Sequence, residues 1–598
     1  MQLNEEQRNA VEIDRPFLLC VAGAGSGKTR VLTSRVIRLL RNGANPARML
    51  VCTFTRAAAR EMRERIEAEY GGRYLPTIST LHSWAGRLLR RYPEAINRTR
   101  VFSVYDQRDR EDLIRVCAED INAHDKPQTC RIKTLERKSE VMEEYRRRLA
   151  QADALDFDQL ERLAWRLLIE NNEVAEELQG YYDHILVDEA QDLNDNQAEI
   201  LMALGPANLF AVFDTRQAIY SFRGSRPEIV ERWAASPTSM VVGLARNYRS
   251  VPPVVLQANR VMIEDTPMIP MREATRDENC ACDSINDNGP LDEPAGVAYD
   301  IDVETRTEGT SYGDIAVLAR SWRVLEAVHD ALVAAEVPVN FCGFTEDPWT
   351  THDGRMLARA IQFLRNPRDL NYARFLDGWG VDSPRCGDFR AVRAAVFRSR
   401  APVLSVMADM APAWTAFKAL RGSITRQSPV RDVAQLVLET IGRGGCDHTD
   451  EAIAAIPEEV ITLEDFADWW IDRSLQDRVV ADEERDAVTL TTIHGAKGLE
   501  WPVVYLAHAV DAVFPGREPV EEMRRLLYVG VTRARDRLVL SYPSRFVEPW
   551  GRTVKARPSP LLGNDCDEAT DRDCDAAILS ADGVCAAIDN DCDGQGAM

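Results

Sequence analysis

The chain has 598 residues, 45% of them hydrophobic and 28% charged, a formal net charge of -22 and thirteen cysteines, the composition of a soluble globular protein of several domains. The apolar run Phe17 to Ala22 is too short to span a bilayer, and the polar, acidic stretch Met1 to Arg15 excludes a secretory signal. No membrane partner and a cytoplasmic location are therefore expected. Seven Lys stand against 66 Arg, a balance that fits salt adaptation or a GC-rich genome. Arg suits phosphate recognition because its planar fork bonds two oxygens at once, and an acidic total leaves room for a local nucleic-acid groove.

From the N-terminus, residues 16–31 (PFLLCVAGAGSGKTRV) read as an apolar strand, a glycine-rich loop and a helix start. Met49 to Thr53 reads as a second strand, and about Ala57 to Tyr70 as a helix. Ile185 to Val187, ending on Asp188-Glu189, and Leu209 to Phe213 read as further short strands. This alternation predicts an α/β fold with a doubly wound parallel sheet. Charge-rich helical sequence from about Arg87 to Leu168 predicts an inserted helical unit. A second α/β set follows, with strands near Ile315 to Leu318, Val488 to Ile493, Val503 to Ala507 and Leu538 to Ser541, and helices near Trp322 to Ala335 and Glu521 to Val529. Thr275 to Gly296, polar and bearing Gly and Pro, is expected to be a loop. Residues 376–480 are mostly helical without α/β alternation, a second insertion. The implied division is a first sheet domain of 1–86 and 156–246 with 87–155 inserted, and a second of 247–375 and 483–556 with 376–482 inserted. Residues 557–598 form an acidic tail expected to be disordered. Nine scattered cysteines, Cys20, Cys52 and Cys117 among them, read as buried thiols of a reducing compartment.

Ala22-Gly23-Ala24-Gly25-Ser26-Gly27-Lys28-Thr29 fits the phosphate-loop pattern that closes on Gly-Lys-[Ser/Thr], between a strand and a helix as that pattern requires. Glycines let backbone N–H groups face phosphate oxygens, and the helix N-terminus adds partial positive charge. Lys28 is expected to reach the β- and γ-phosphates, and the Thr29 hydroxyl to bind Mg²⁺. Asp188-Glu189 closes the strand Ile-Leu-Val-Asp-Glu. Two adjacent carboxylates at a strand end read as a solvated turn when alone. Beside a phosphate loop they read as an ATPase pair, Asp188 holding Mg²⁺ and Glu189 deprotonating the attacking water.

Other segments follow in order: LNEEQRNAVE (Leu3 to Glu12), TFTRAAAREM (Thr53 to Met62), TISTLHSWAGRLLR (Thr77 to Arg90), ILVDEAQDLN, FDTRQAIYSFRGS (Phe213 to Ser225), LARNYRS (Leu244 to Ser250), VTLTTIHGAKGLEW (Val488 to Trp501) and MRRLLYVGVTRAR (Met523 to Arg535). This set, spanning residues 3 to 542, resembles the motifs of the UvrD/Rep/PcrA group of superfamily 1A DNA helicases. The resemblance implies two RecA-like motor domains, each with a helical insertion, and ATP with Mg²⁺ in the cleft between them. It implies that Gln7 bonds the adenine edge, that Arg30 and Tyr248 sandwich the ring, and that Gln217 senses the γ-phosphate. Arg249 and Arg533 are implied arginine fingers, and Glu500 a contact to the nucleotide sugar.

Matched positions offer Phe54, His82, Tyr220 and Phe222, with Arg56, Arg223 and His494, as contacts to single-stranded DNA. Such a strand is gripped by aromatic faces and cations without regard to sequence. Trp84 reads either as a further stacking face or as core. The implied activity is 3′-to-5′ translocation on single strands and unwinding at single-strand/duplex junctions, near the nucleoid, by a monomer or weak dimer alongside repair or replication proteins. A second insertion shorter than the family's leaves a translocase without efficient unwinding as the alternative. Intact Lys28, Asp188, Glu189 and Arg533 argue against a non-hydrolysing scaffold. Phe546 or Trp550 lies where the family carries a strand-splitting hairpin tip. One departure stands out: the coupling motif begins Phe213-Asp214 where the family has Gly-Asp, and the bulkier side chain is expected to shift the Asp214 to Gln217 loop.

The last residues, Asn564 to Met598, carry Cys566, Cys574, Cys585 and Cys592 among many Asp. Asp589, Asp591 and Asp593 offer oxygen ligands for Ca²⁺, and four thiolates could hold Zn²⁺, although no C-x₂-C spacing is present. Composition favours an acidic disordered tail.

Overall fold

Short apolar runs, each followed by a polar or glycine-bearing turn, become the buried strands of two parallel sheets. The computed structural model describes residues 3–72, 74–123, 128, 130–263, 267–272, 282–287, 292–341, 348–376, 379, 395–396, 403–410, 412–442, 447–474, 486–543, 545–547 and 553–562. The first sheet holds β1 (Phe17–Ala22), β2 (Met49–Thr53), β3 (Thr77–Thr80), β4 (His184–Val187), β5 (Asn208–Phe213) and β6 (Ser239–Leu244). Its order is β3-β2-β4-β5-β1-β6, every pairing parallel. Helices Lys28–Arg41 and Arg56–Tyr70 cover one face through Val31, Val36, Met62 and Ile66. Helices Leu81–Arg91 and Phe157–Glu170 cover the other through Leu88, Leu89, Leu160 and Ala164. Strands buried on both faces read as continuous apolar runs, which is why β1, β2 and β5 were visible in the sequence.

The second sheet holds β7 (Cys282–Asp287), β8 (Ile315–Ala319), β9 (Val339–Phe341), β10 (Val488–Thr492), β11 (Trp501–Leu506) and β12 (Ala534–Pro543). Its order is β7-β12-β11-β8-β10-β9, again all parallel. The doubly wound α/β expectation therefore holds twice. Thr275 to Gly296 is not a simple loop. It contains β7, which pairs with β12, and the start of helix Asp292–Thr307. CDSIND has a single branched aliphatic residue, so its strand character comes from the partner edge rather than from its own pattern.

The first insertion pairs Ser103–Tyr105 with Ala154–Asp156 and encloses helices Gln107–Asp120, Ile132–Glu136 and Ser139–Gln151. Helices from His352–Arg365 to Leu463–Ser474 form the second helical layer. The two share one core, in which Tyr105, Tyr145 and Leu113 meet Phe363, Tyr372 and Trp414. Buried polar groups bind the seam: Tyr105 donates to Asp369 at 2.7 Å, and Arg359 bonds Asp109 and Asp112.

Residues 557–562, assigned to the tail, are instead packed. Leu561 and Leu562 enter the core of the second sheet domain, and Gln257 donates to the Leu562 carbonyl at 3.0 Å. Asn564 to Met598, with its four cysteines and Asp589, Asp591 and Asp593, lies outside the described residues. Cys20, Cys52 and Cys117 are buried free thiols, as expected. Among the described residues no helix is long and apolar enough to cross a membrane.

Candidate active site

Parallel strands bring their carboxyl ends to one edge, where ligands of open α/β sheets bind. β1 delivers the phosphate loop there, β2 Phe54, β3 His82, β4 Asp188-Glu189 and β5 Asp214. The loop is Ala22 to Gly27, and Lys28 and Thr29 open the helix behind it, whose first N–H groups have no partner within the helix. Gly27 caps that helix at φ 86°, and Gly25 sits at φ 67°; both angles favour glycine. Close approach adds to this. A methyl on Gly25 would meet Arg249 Cβ at 2.6 Å, one on Gly27 the Gln7 amide at 2.9 Å, and one on Gly23 the Arg216 guanidinium at 2.9 Å. Gln7 is buried beneath the loop, donating to the Ser26 carbonyl at 2.9 Å while its Oε1 accepts from Asn4 N–H at 3.2 Å.

Lys28 Nζ stands 3.8 Å from Glu189. Glu189 adopts φ 51°, a left-handed conformation a non-glycine residue rarely takes, and so turns away from the line of β4. Burial, reinforced by the Glu189 charge, raises the Asp188 carboxyl above its usual range. Burial also acts on Glu189, but Lys28 and Lys497 outweigh it and hold that carboxyl below its usual value. Gln191 donates to Glu189, and its Oε1 accepts from Asp214 N–H at 3.0 Å. Asp214 in turn accepts from Gln217 Nε2 at 2.8 Å and Arg216 Nε at 2.8 Å. The Phe213 ring enters the hydrophobic core beside β5, and the Asp214 to Gln217 turn is hydrogen-bonded.

The second half of the chain closes over this edge. Tyr248 N–H donates to Gly25 O at 2.9 Å, and Asn247 Nδ2 to Ala24 O at 2.7 Å. Asn4 donates to the Tyr248 hydroxyl. Arg249 bonds Glu500 at 2.5 Å and the Thr532 carbonyl at 3.2 Å. Arg533 is fully buried and points Nη2 at Gln217 Oε1, 3.4 Å away. Burial and the neighbouring Arg249 push its guanidinium down to about 9. The helix Lys28–Arg41 places Arg30 two residues beyond Lys28 in its first turn. Asn247 and Tyr528, whose hydroxyl accepts from Ala24 N–H at 3.4 Å, were missed in the sequence because neither carries a charge or a metal-ligand pattern.

Beside the carboxylates lies an aromatic ladder. Phe54 stacks on Tyr220 with centroids 5.3 Å apart, Tyr220 meets Phe222 at 6.1 Å, and Phe222 meets His494 of the second half edge-on at 5.5 Å. Phe222 is 64% exposed. Arg56 and Arg223 have their backbones on this surface, and their side chains lie outside the described residues. His82 stands apart from the ladder, 2.7 Å from the buried carboxylate of Glu161. Trp84 is core, its indole donating to the Tyr182 hydroxyl at 3.0 Å. Lys497, which the sequence reading passed over, joins both sides. Its ammonium is buried 2.5 Å from Asp192 and 2.8 Å from the Gln217 carbonyl, and lies 4.6 Å over the Tyr220 ring. The only signal was its place two residues after Gly495, in a motif read for His494 and Glu500. Arg545–Val547 and Thr553–Lys555 form an antiparallel hairpin; Trp550 and the Phe546 side chain lie outside the described residues.

Comparisons with known proteins show similarity along most of the chain. The UvrD/REP helicase N-terminal domain matches residues 3–139 and 128–237, and the UvrD-like helicase C-terminal domain residues 451–545. The ATP-dependent DNA helicase UvrD1 of Mycobacterium bovis is 30% identical over 94% of this chain and 84% of its own length. The ATP-dependent DNA helicase PcrA of Bacillus subtilis is 29% identical over 94% and 86%, and the ATP-dependent DNA helicase Rep of Escherichia coli 26% identical over 94% of each. With the phosphate loop, the paired carboxylates and the facing arginines in one cleft, and with this similarity running along nearly the whole chain, the protein belongs to the UvrD/REP helicase family.

Proposed function

We propose that this chain is an ATP-dependent DNA helicase that moves 3′-to-5′ along single-stranded DNA and opens duplex at junctions during repair or replication in the nucleoid. The observation that carries the reading is the unbroken polar path from the phosphate loop to the aromatic ladder: Lys28 to Glu189, Gln191, Asp214 and Gln217, then Lys497 over Tyr220. The residues fit a nucleoside triphosphate with its cation. The loop glycines leave a cradle that side chains would fill, and Asp188 is a buried carboxylate whose hydrogen-bond donor among the described residues is the Glu189 N–H at 3.1 Å. Thr29 and Asp188 would hold Mg²⁺, which supplies charge neutralisation at the phosphates.

The chain's own groups divide the work. Lys28 and the loop N–H groups bind phosphate oxygens. The one N–H left on the Gln7 amide reaches the adenine edge, with Arg30 and Tyr248 on the ring faces and Glu500 near the sugar. Glu189 takes the proton of the attacking water. Gln217 on the loop's own wall, and Arg249 and Arg533 from the opposite wall, face the terminal phosphate, and preorganised arginines of this kind contribute about 10³–10⁵ in rate in other NTPases. Closing the cleft shifts His494 against Phe222, so bases held on the ladder are gripped and released once per cycle. Stacking contributes about 1–3 kcal/mol per base and accepts every sequence.

ATP hydrolysis measured with and without single-stranded DNA tests the reading. DNA should stimulate the rate, and Lys28→Ala should abolish it. Strand release from a 3′-tailed but not a 5′-tailed duplex supports the helicase with this polarity. ATPase stimulation without release on either leaves a translocase that displaces proteins, and no stimulation at all overturns the proposal.

A further inference from the structure

Glu161 lies outside every motif, yet it is one of the most completely satisfied buried carboxylates near the site. It sits on helix Phe157–Glu170, 4% exposed. Its Oε1 accepts from His82 Nε2 at 2.7 Å and Gln197 Nε2 at 2.5 Å, and its Oε2 from Asn194 Nδ2 at 2.7 Å. Asn194 and Gln197 already form the capping box of helix Asp195–Ala203, each side chain accepting from the other's backbone N–H at 2.9 and 3.2 Å. The amide oxygens are thus spent on the cap, and the amide nitrogens are free to aim at Glu161. Burial alone would raise this carboxyl; the His82 charge and the three donors outweigh it and keep it below its usual range. A buried carboxylate with three donors is a stiff junction, because each lost donor costs a desolvated charge.

Three elements meet at that junction. His82 is in the first turn of helix Leu81–Arg91, directly after β3. Asn194 is two residues beyond the turn Ala190–Asp192, which follows Asp188 and Glu189 and carries Asp192, the partner of Lys497. The end of the coupling motif is tied in as well, through Arg226 N–H to the Leu193 carbonyl at 2.9 Å. Glu161 and Asn194 also line a cavity of about 910 Å³, walled by Arg146 and Arg162 of the helical side, Ser221 and Ser225 next to Phe222, and Arg525 of the second half. The junction therefore borders this cavity, whose wall also carries Asp156, Asp158 and Asp195, and the carboxylate turn is its next neighbour along the chain.

We propose that Glu161 is a positioning residue that links occupancy of this cavity to the carboxylate turn: a strand lying in the cavity bears on its Asn194 wall, and Glu161, which ties Asn194 and Gln197 to His82, sets how the cap and so Glu189 respond. This rests on the reading of the site as a DNA-stimulated ATPase. Glu161 touches neither nucleotide nor ladder, so its effect is on the ratio of stimulated to basal hydrolysis. Glu161→Gln keeps the shape, removes the charge and sets an amide N–H₂ against one of the three donors. Basal kcat and the KM for ATP should stay as in the parent, while the maximal stimulation by oligo-dT should fall about five- to tenfold, the usual size of coupling between sites. Glu161→Asp, which keeps the charge on a shorter arm, should recover part of the loss. A residue that only held the fold would lower basal and stimulated rates together. An unchanged ratio in Glu161→Gln overturns the proposal; if that variant does not fold, an unchanged ratio in Glu161→Asp does so. Parent protein that oligo-dT fails to stimulate sinks the underlying reading instead.

Discussion

Lys497 shows how much one side chain can carry in a buried cleft. Its ammonium neutralises Asp192, whose carboxyl burial pushes up to about 6 even with that cation beside it. It also caps the Gln217 carbonyl and lies over Tyr220. Removing one partner of a buried pair leaves an uncompensated charge, at a cost of about 3–5 kcal/mol. Lys497→Met should therefore lower urea stability by that order. Lys497→Met with Asp192→Asn should regain most of it, since both charges are then gone. If the double variant is no more stable than the single one, the pair is not the reason for the loss. Glycine 25 illustrates the opposite economy, since its missing side chain is what lets Arg249 approach the loop.

At the scale of elements, the functional edge follows from parallel pairing: all six strands of the first sheet end on the same side, and β1, β2, β4 and β5 each lead into a residue of the site. The helical layers obey a different rule. Their shared core is seamed by polar groups, and Asp369 is the most exacting of these. Burial pushes its carboxyl up to about 7, and its Oδ2 has no hydrogen-bond partner among the described residues. A carboxyl whose folded pKa lies above its unfolded value near about 4 stabilises the fold fully below that value. The contribution is lost as pH rises through about 7. Asp369→Asn mimics the protonated form. In thermal melts its Tm relative to the parent should climb between about pH 4 and 7, and a difference that stays flat across that range would refute the assignment.

At the scale of the molecule, a net charge of -22 has to coexist with DNA. Ion pairs occupy many of the arginines, as with Arg148 between Asp120 and Glu144 and Arg537 between Asp300 and Glu304. Under the proposed function, a grip built on Phe54, Tyr220, Phe222 and His494 relies on stacking more than on phosphate neutralisation. The logarithm of oligo-dT affinity against that of salt should thus fall with a shallow slope, about -1 to -2, where each phosphate contact on a single strand adds about -0.7. A titration giving about -5 would mean that phosphates dominate. The chain's motifs were legible without a structure because phosphate chemistry fixes residue type and spacing locally: a loop of glycines before Lys28, and a carboxylate pair after a buried strand. Both sheets were legible for a similar reason, since strands buried on two faces must be apolar throughout. Strand Cys282–Asp287, the union of the two helical layers, and the partners of His82, Trp84 and Lys497 were not. Each depends on a contact between residues far apart in the chain, and only tertiary folding decides which distant carboxylate, ring or sheet edge a side chain meets.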